Sequence, residues 1–95
     1  MAVLLIFDIE ITNPEGYDEY RRLAGASSEG HTQEFVIRGG TAETLEGDWV
    51  PNRIVIQRFT SRDEAMAWYN SPAYEAARAV RERTARTRAI LVETA

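Results

Sequence analysis

Apolar residues alternate with period two at the start of the chain. Val3, Leu5, Phe7, Ile9 and Ile11 fall on one side, while Leu4 and Ile6 open the other before Asp8 and Glu10 take it over. Such a strand is buried on both faces at one end and on a single face at the other. The period then changes in "TNPEGYDEYRRLAGAS". Thr12 or Asn13 can cap a helix, Pro14 suits its first turn, and Glu15, Asp18 and Glu19 favour its positive end. Tyr17, Tyr20, Leu23 and Ala24 make the inward stripe, and Gly25, Ser27, Ser28 and Gly30 close the helix in a loop.

"HTQEFVIRGG" supplies a second strand with Phe35 and Ile37 on one side, Val36 and Arg38 on the other. "NRIVIQRFT" is a third, with Ile54 and Ile56 opposed to Val55, Gln57 and Phe59. Ser61 followed by Glu64 has capping-box spacing, so a helix opens at Arg62 with Ala65, Met66, Trp68 and Tyr69 on its apolar side. Pro72 interrupts it and Ser71 caps a restart, whose inward stripe is expected at Ala73, Ala76, Ala77 and Val80. Arg78, Glu82 and Arg86 then form an i, i+4 ladder on the outside, and "TRAILVE" is a fourth strand.

The order β-α-β-β-α-β predicts an α+β, ferredoxin-like domain spanning residues 1–95, an antiparallel four-stranded sheet with helices on one face. The strands carry apolar residues on both sides, so the second face needs a cover. A second copy of the chain laid sheet to sheet supplies one with a single self-complementary patch. A homodimer is therefore the expected partner.

Composition narrows the function. A net charge of −4 argues against a nucleic-acid partner. The absence of cysteine removes disulfides, thiolate catalysis and thiolate metal sites, and fits a cytoplasmic location. All eleven basic residues are arginine, so Schiff-base and phosphate-loop lysine chemistry is excluded. "MAVLLIFDIEI" lacks a basic leader and is broken by Asp8 and Glu10, which makes it a strand rather than a targeting or membrane segment.

Asp18-Glu19-Tyr20, "IRGG" at Ile37–Gly40, "LEGDWVPNRIVIQRF" at Leu45–Phe59 and "EAMAWYNSPAYEAARAVR" at Glu64–Arg81 together resemble the DUF1330 family of the dimeric α/β-barrel superfamily. The resemblance implies a ferredoxin-like subunit paired through its sheets. Superfamily relatives include cofactor-free monooxygenases and isomerases, which implies a cleft for a compact, aromatic or enolisable metabolite and no cofactor. The alternatives are a non-catalytic ligand-binding or stress-related module, and a purely structural homodimer.

Candidate chemistry is sparse. Gly39-Gly40 reads as a bend or bulge, with Gly47-Asp48 as a turn and Trp49 as a plug at a subunit boundary. Arg38 interrupts an apolar strand and either pairs with Glu46 or Asp48 or holds a ligand carboxylate or enolate. His31, the sole imidazole, is the candidate proton carrier, though its loop position suits a solvent-facing residue, and it lacks companions for a metal site. Tyr20, Trp49, Trp68 and Tyr69 are candidate ligand contacts beside Arg38, with core packing the competing role for each aromatic. The arginines Arg78, Arg81, Arg83, Arg86 and Arg88 read as a solvated face, interrupted by Glu82.

Overall fold

A computed structural model describes residues 1–94. The elements run β1 (Val3–Ile11), α1 (Pro14–Ser27), β2 (Glu34–Gly40), β3 (Arg53–Phe59), α2 (Arg62–Tyr69), α3 (Pro72–Thr84) and β4 (Ala85–Glu93). All strand pairs are antiparallel, in the spatial order β2-β3-β1-β4, the ferredoxin-like arrangement. Each helix starts where a side chain can satisfy an orphan amide. Asn13 accepts from the Gly16 N–H at 3.1 Å, Ser61 from Glu64 at 3.1 Å and Ser71 from Tyr74 at 3.2 Å. Among the described residues, no helix is long and apolar enough to cross a membrane.

The helices cover the face built from Val3, Leu5, Phe7 and Ile9 of β1 with Gln57 and Phe59 of β3. Trp68 is the centre of that core, with Tyr74 stacked at 4.0 Å between ring centroids and Phe59 at 5.6 Å. The indole N–H donates to Ser27 Oγ at 3.1 Å, which explains why α1 extends through Ser27 instead of ending in a loop at Gly25. On α3 the inward stripe is Tyr74, Ala77, Val80, Arg81 and Thr84, with Ala73 and Ala76 exposed. Alanines carry too little area to set a helix's rotation against a tyrosine. The helix also ends at Thr84, so Arg86 belongs to β4 and pairs with Glu10 at 3.4 Å; it does not extend the ladder from Arg78 and Glu82.

On the opposite face, the register aligns Ile37, Ile56, Ile6 and Ile90 in one row across the four strands. Leu4, Ile54 and Val92 flank the row, and Ile90 remains 59 % exposed. The long β2–β3 connection is tied to this same face. Asp8 accepts from the Trp49 indole N–H and from the Asn52 backbone N–H, both at 2.8 Å.

β2 is irregular in a way that matters. Its pairing with β3 shifts between Phe35 and Ile37 and again between Arg38 and Gly40. Strict alternation would put Phe35 with Ile37. The first bulge breaks that parity and places Phe35 and Arg38 together on the helix-covered side, opposite Gln57 and Val55. At the second bulge Gly39 has φ +94, and the Arg53 guanidinium occupies the space a Cβ would take. Gly39→Ala is therefore expected to lower stability by about 1–2 kcal/mol and to displace Arg53. Gly40→Ala, where a Cβ meets only the Ile37 methyl at 3.2 Å, should cost less. Paired urea titrations of the two variants check this order.

Candidate functional site

A cleft lies beside the second bulge, lined by Arg38 and Arg53. Between α1 and the helix-facing side of β2, β3 and β1 lies a concavity of about 600 Å³, within the usual range for small-molecule sites. Phe7, Ile9, Ala24, Phe35 and Val55 form its apolar walls, together with the rings of Tyr17 and Tyr20. Its polar lining consists of Arg21, Arg38 and Arg53 with Ser28, Gln33 and Gln57, and contains no carboxylate.

The arginines are held differently. Arg53 donates through Nη2 to the Arg38 carbonyl at 3.1 Å, which fixes its guanidinium under Gly39. Arg38 lies over the Phe35 ring at 4.1 Å, and Arg21 over Tyr17 at 5.0 Å. Arg21 also bonds Asp18 at 3.0 Å, on the exposed side of α1. Among the described residues neither Arg38 nor Arg53 has a carboxylate partner, so the ion pair expected from Glu46 or Asp48 does not form. Both carboxylates travel instead with the loop that Trp49 pins to the other face of the sheet.

Several buried polar atoms of residues that line this cleft lack a hydrogen-bond partner: both ends of the Gln33 amide, Gln57 Oε1 and Arg53 Nε. Buried polar groups are ordinarily satisfied. Here they combine donors with acceptors around one apolar chamber.

A chain of hydrogen bonds reaches the same wall from behind. Arg81, only 6 % exposed, donates through Nη1 to the Tyr74 hydroxyl at 2.8 Å, and the Tyr74 and Tyr20 hydroxyls lie 2.9 Å apart. Arg81 has no carboxylate within salt-bridge distance among the described residues; the Phe7 and Tyr20 rings lie 5.5 and 5.9 Å from its guanidinium carbon. Burial, reinforced by the neighbouring Tyr20, pushes the Tyr74 hydroxyl well above the ordinary tyrosine range, and burial raises Tyr17 in the same direction.

The candidates drawn from sequence divide accordingly. Tyr20 and Arg38 line the cleft. Trp68 is fully buried in the core, Tyr69 lies under Arg78 at 4.7 Å, and Trp49 is on the opposite face, 53 % exposed. His31 is half-buried at the end of α1, its amide bonded to the Ser28 carbonyl, and is not part of the lining. Arg53, Gln33, Gln57 and the buried Arg81 had not been singled out as site residues. Arg53 sits in an alternating strand and Arg81 in an arginine-rich helix, and neither context distinguishes a buried guanidinium from a solvated one. Among the described residues, no three His, Cys, Asp or Glu side chains converge as a metal site would require.

Comparison with known proteins agrees with the architecture. Residues 2–95 match the family described as a domain of unknown function, DUF1330, and the chain belongs to that family. None of the curated proteins matches it in sequence. Among solved structures, RPA0582 of Rhodopseudomonas palustris, a protein of unknown function, is similar at 18 % identity and a TM-score of 0.77, covering 99 % of this chain and 82 % of that one. A dimeric ferredoxin-like protein of unknown function from Bacteroides fragilis is 12 % identical with a TM-score of 0.70, over 98 % and 96 % of the two chains. SnoaB, a cofactor-independent oxygenase from Streptomyces nogalater, is 12 % identical with a TM-score of 0.67, over 99 % and 93 %. At such identities the likeness is one of fold.

Tyr17 and Tyr74 hold their protons in the folded state to a higher pH than in the unfolded chain. Their contribution to stability is therefore complete below the ordinary tyrosine value and is lost as pH rises beyond about 10. Each adds a slope of up to about 1.4 kcal/mol per pH unit. Tyr74→Phe should remove one such increment from the alkaline fall in stability, as measured by urea unfolding at a series of alkaline pH values.

Proposed function

We propose that this member of the DUF1330 family binds a compact, planar, hydroxylated anion, a carboxylate, phenolate or enolate, in the cleft beneath α1. One observation carries the reading: Arg38 and Arg53 line an apolar chamber that contains no carboxylate to neutralise them. A ligand oxyanion would supply that charge, in the bidentate geometry to which a guanidinium fork is suited. Turned into the cleft, the unpartnered acceptors Gln33 Oε1 and Gln57 Oε1 would suit a ligand hydroxyl, and Gln33 Nε2 and Arg53 Nε its oxygens. Aromatic walls and guanidinium planes favour a flat molecule.

Binding is the role these side chains support best. The cleft lining includes no histidine or carboxylate to abstract a proton, so turnover would depend on ligands acidic enough to enter ionised. A cationic cleft stabilises such an enolate or phenolate. That supports a cofactor-free oxygenase or isomerase as the second reading, with oxygen uptake or product formation as its readout. A self-filled cleft in a purely structural dimer is disfavoured by the open volume and the unsatisfied polar atoms.

The row of isoleucines on the open face supports pairing with a second copy of the chain. A self-complementary apolar strip rimmed by charges is what a two-fold interface uses. Trp49, half-exposed and anchored to Asp8 on that face, would lie at its border.

Two experiments follow. Hydroxybenzoates should raise the melting temperature where the matching neutral hydroxybenzamides do not. Arg38→Ala or Arg53→Ala should weaken their binding by about 10- to 100-fold, the worth of a hydrogen bond to a charged group. Equal shifts from acids and amides would overturn the anion site. For assembly, Ile90→Asp places a charge at an exposed position and should convert a dimer to a folded monomer in sedimentation velocity. A wild-type chain that is already monomeric and stable at micromolar concentration would overturn the pairing.

A further inference from the structure

Arg81 buries a positive charge that no carboxylate of the described residues compensates, and it does so behind the cleft wall, away from Arg38 and Arg53. Its bond to Tyr74 has a directional consequence. A guanidinium only donates, so the Tyr74 oxygen must accept from it. Tyr74 is 0 % exposed, and the acceptor within reach of its own O–H is the Tyr20 oxygen. In the reverse arrangement Tyr20 would donate to Tyr74 and leave the Tyr74 proton buried without a partner, which is the costlier state. The bonds therefore run one way, from Arg81 to Tyr74 to Tyr20. The proton left over at the end belongs to Tyr20, the member of the chain that lines the cleft.

We infer that Arg81 is a positioning residue that, through Tyr74, makes the Tyr20 hydroxyl a polarised one-way donor to the oxyanion of the cleft ligand. This rests on the anion-binding reading above and deepens it, because it assigns the oxyanion a third partner and explains the buried guanidinium. Chains of hydrogen bonds anchored on a charge strengthen one another in the direction of donation. The groups around the cleft and behind its wall reinforce the sign. α1 contributes Tyr17 and Arg21, α3 contributes Tyr74 and Arg81, β2 and β3 contribute Arg38 and Arg53, and β1 presents the uncharged Phe7 and Ile9. None of these groups is acidic. A ligand oxygen at the end of the chain is stabilised in its ionised form, whereas a neutral carbonyl gains less.

The probe is 4-nitrophenol, whose phenolate is coloured and reports its own ionisation. Bound to the wild-type protein it should ionise at a pH lower by about one unit than when free in solution. Tyr20→Phe, which keeps the ring, should abolish part of that shift. Arg81→Met should abolish the same part although it does not touch the ligand, and Arg81→Lys should restore some of it. The double variant Tyr20→Phe with Arg81→Met should lose no more than either alone, since the two act through one chain. If Arg81→Met does not fold, Tyr74→Phe cuts the chain at its middle and should reproduce the Tyr20→Phe value. A shift left undiminished by Tyr20→Phe, or losses that add as independent sites do, would overturn the relay while leaving the anion site standing. Failure of the wild-type protein to bind the probe at all would overturn the anion site and the relay together.

Discussion

Positive charge held in an apolar chamber without negative charge beside it is the constraint on which the functional architecture depends. The chain as a whole carries fifteen acidic residues against eleven arginines, yet none of the acids lines the cleft. A folded protein ordinarily pairs or exposes its guanidinium groups, because an uncompensated buried charge is costly. Of the arginines around the cleft, Arg38 is exposed over the Phe35 ring and Arg21 is exposed and bonded to Asp18, whereas Arg81 behind the wall is buried with the Phe7 and Tyr20 rings beside it. Cation–π contacts of this kind lower the cost without cancelling the charge. What remains is a local field opposite in sign to that of the whole molecule, which draws small anions to one place.

The sheet separates this chemistry from assembly. Its helix-covered side carries the core and the cleft, and its open side carries the isoleucine row and the loop pinned by Trp49. The bulges in β2 serve both sides. By breaking parity after Phe35 they turn Arg38 inward and Ile37 to the open face, and by admitting Arg53 under Gly39 they seat a second guanidinium in the wall. A regular strand would have sent Arg38 to the same surface as the isoleucines, where a charge opposes pairing.

Much of the architecture was legible in the residues. A capping Asn or Ser marked each helix start, with proline beside it in α1 and α3, and alternation in β1 and β3 gave the faces of both strands. The two adjacent glycines were legible as a bulge, confirmed by the positive φ at Gly39. The cleft was only half legible. Arg38 stood out because it interrupted an apolar strand, but its side of the sheet depended on a bulge at Val36, a residue whose type gives no hint of one. Arg81 was hidden among arginines that do face solvent; its burial follows from the rotation of α3 about Tyr74, a tertiary fact. Gln33 and Gln57 carry no periodic or motif signal, and their importance appears only when their side chains are seen without partners. His31 and Trp49 drew notice for their chemistry, but the fold places neither at the cleft.

The most direct measurement is a crystal structure of the protein grown with 4-bromobenzoate and phased on the bromine signal. Bromine is expected beneath α1 between Tyr17 and Phe35, with the carboxylate against Arg38 and Arg53 and a Gln33 or Gln57 amide in contact with the ligand. Bromine confined to the outer surface at saturating ligand, or seated in the cleft with its carboxylate turned away from both arginines, would contradict the proposal that uncompensated guanidinium charge is what the cleft offers to a ligand.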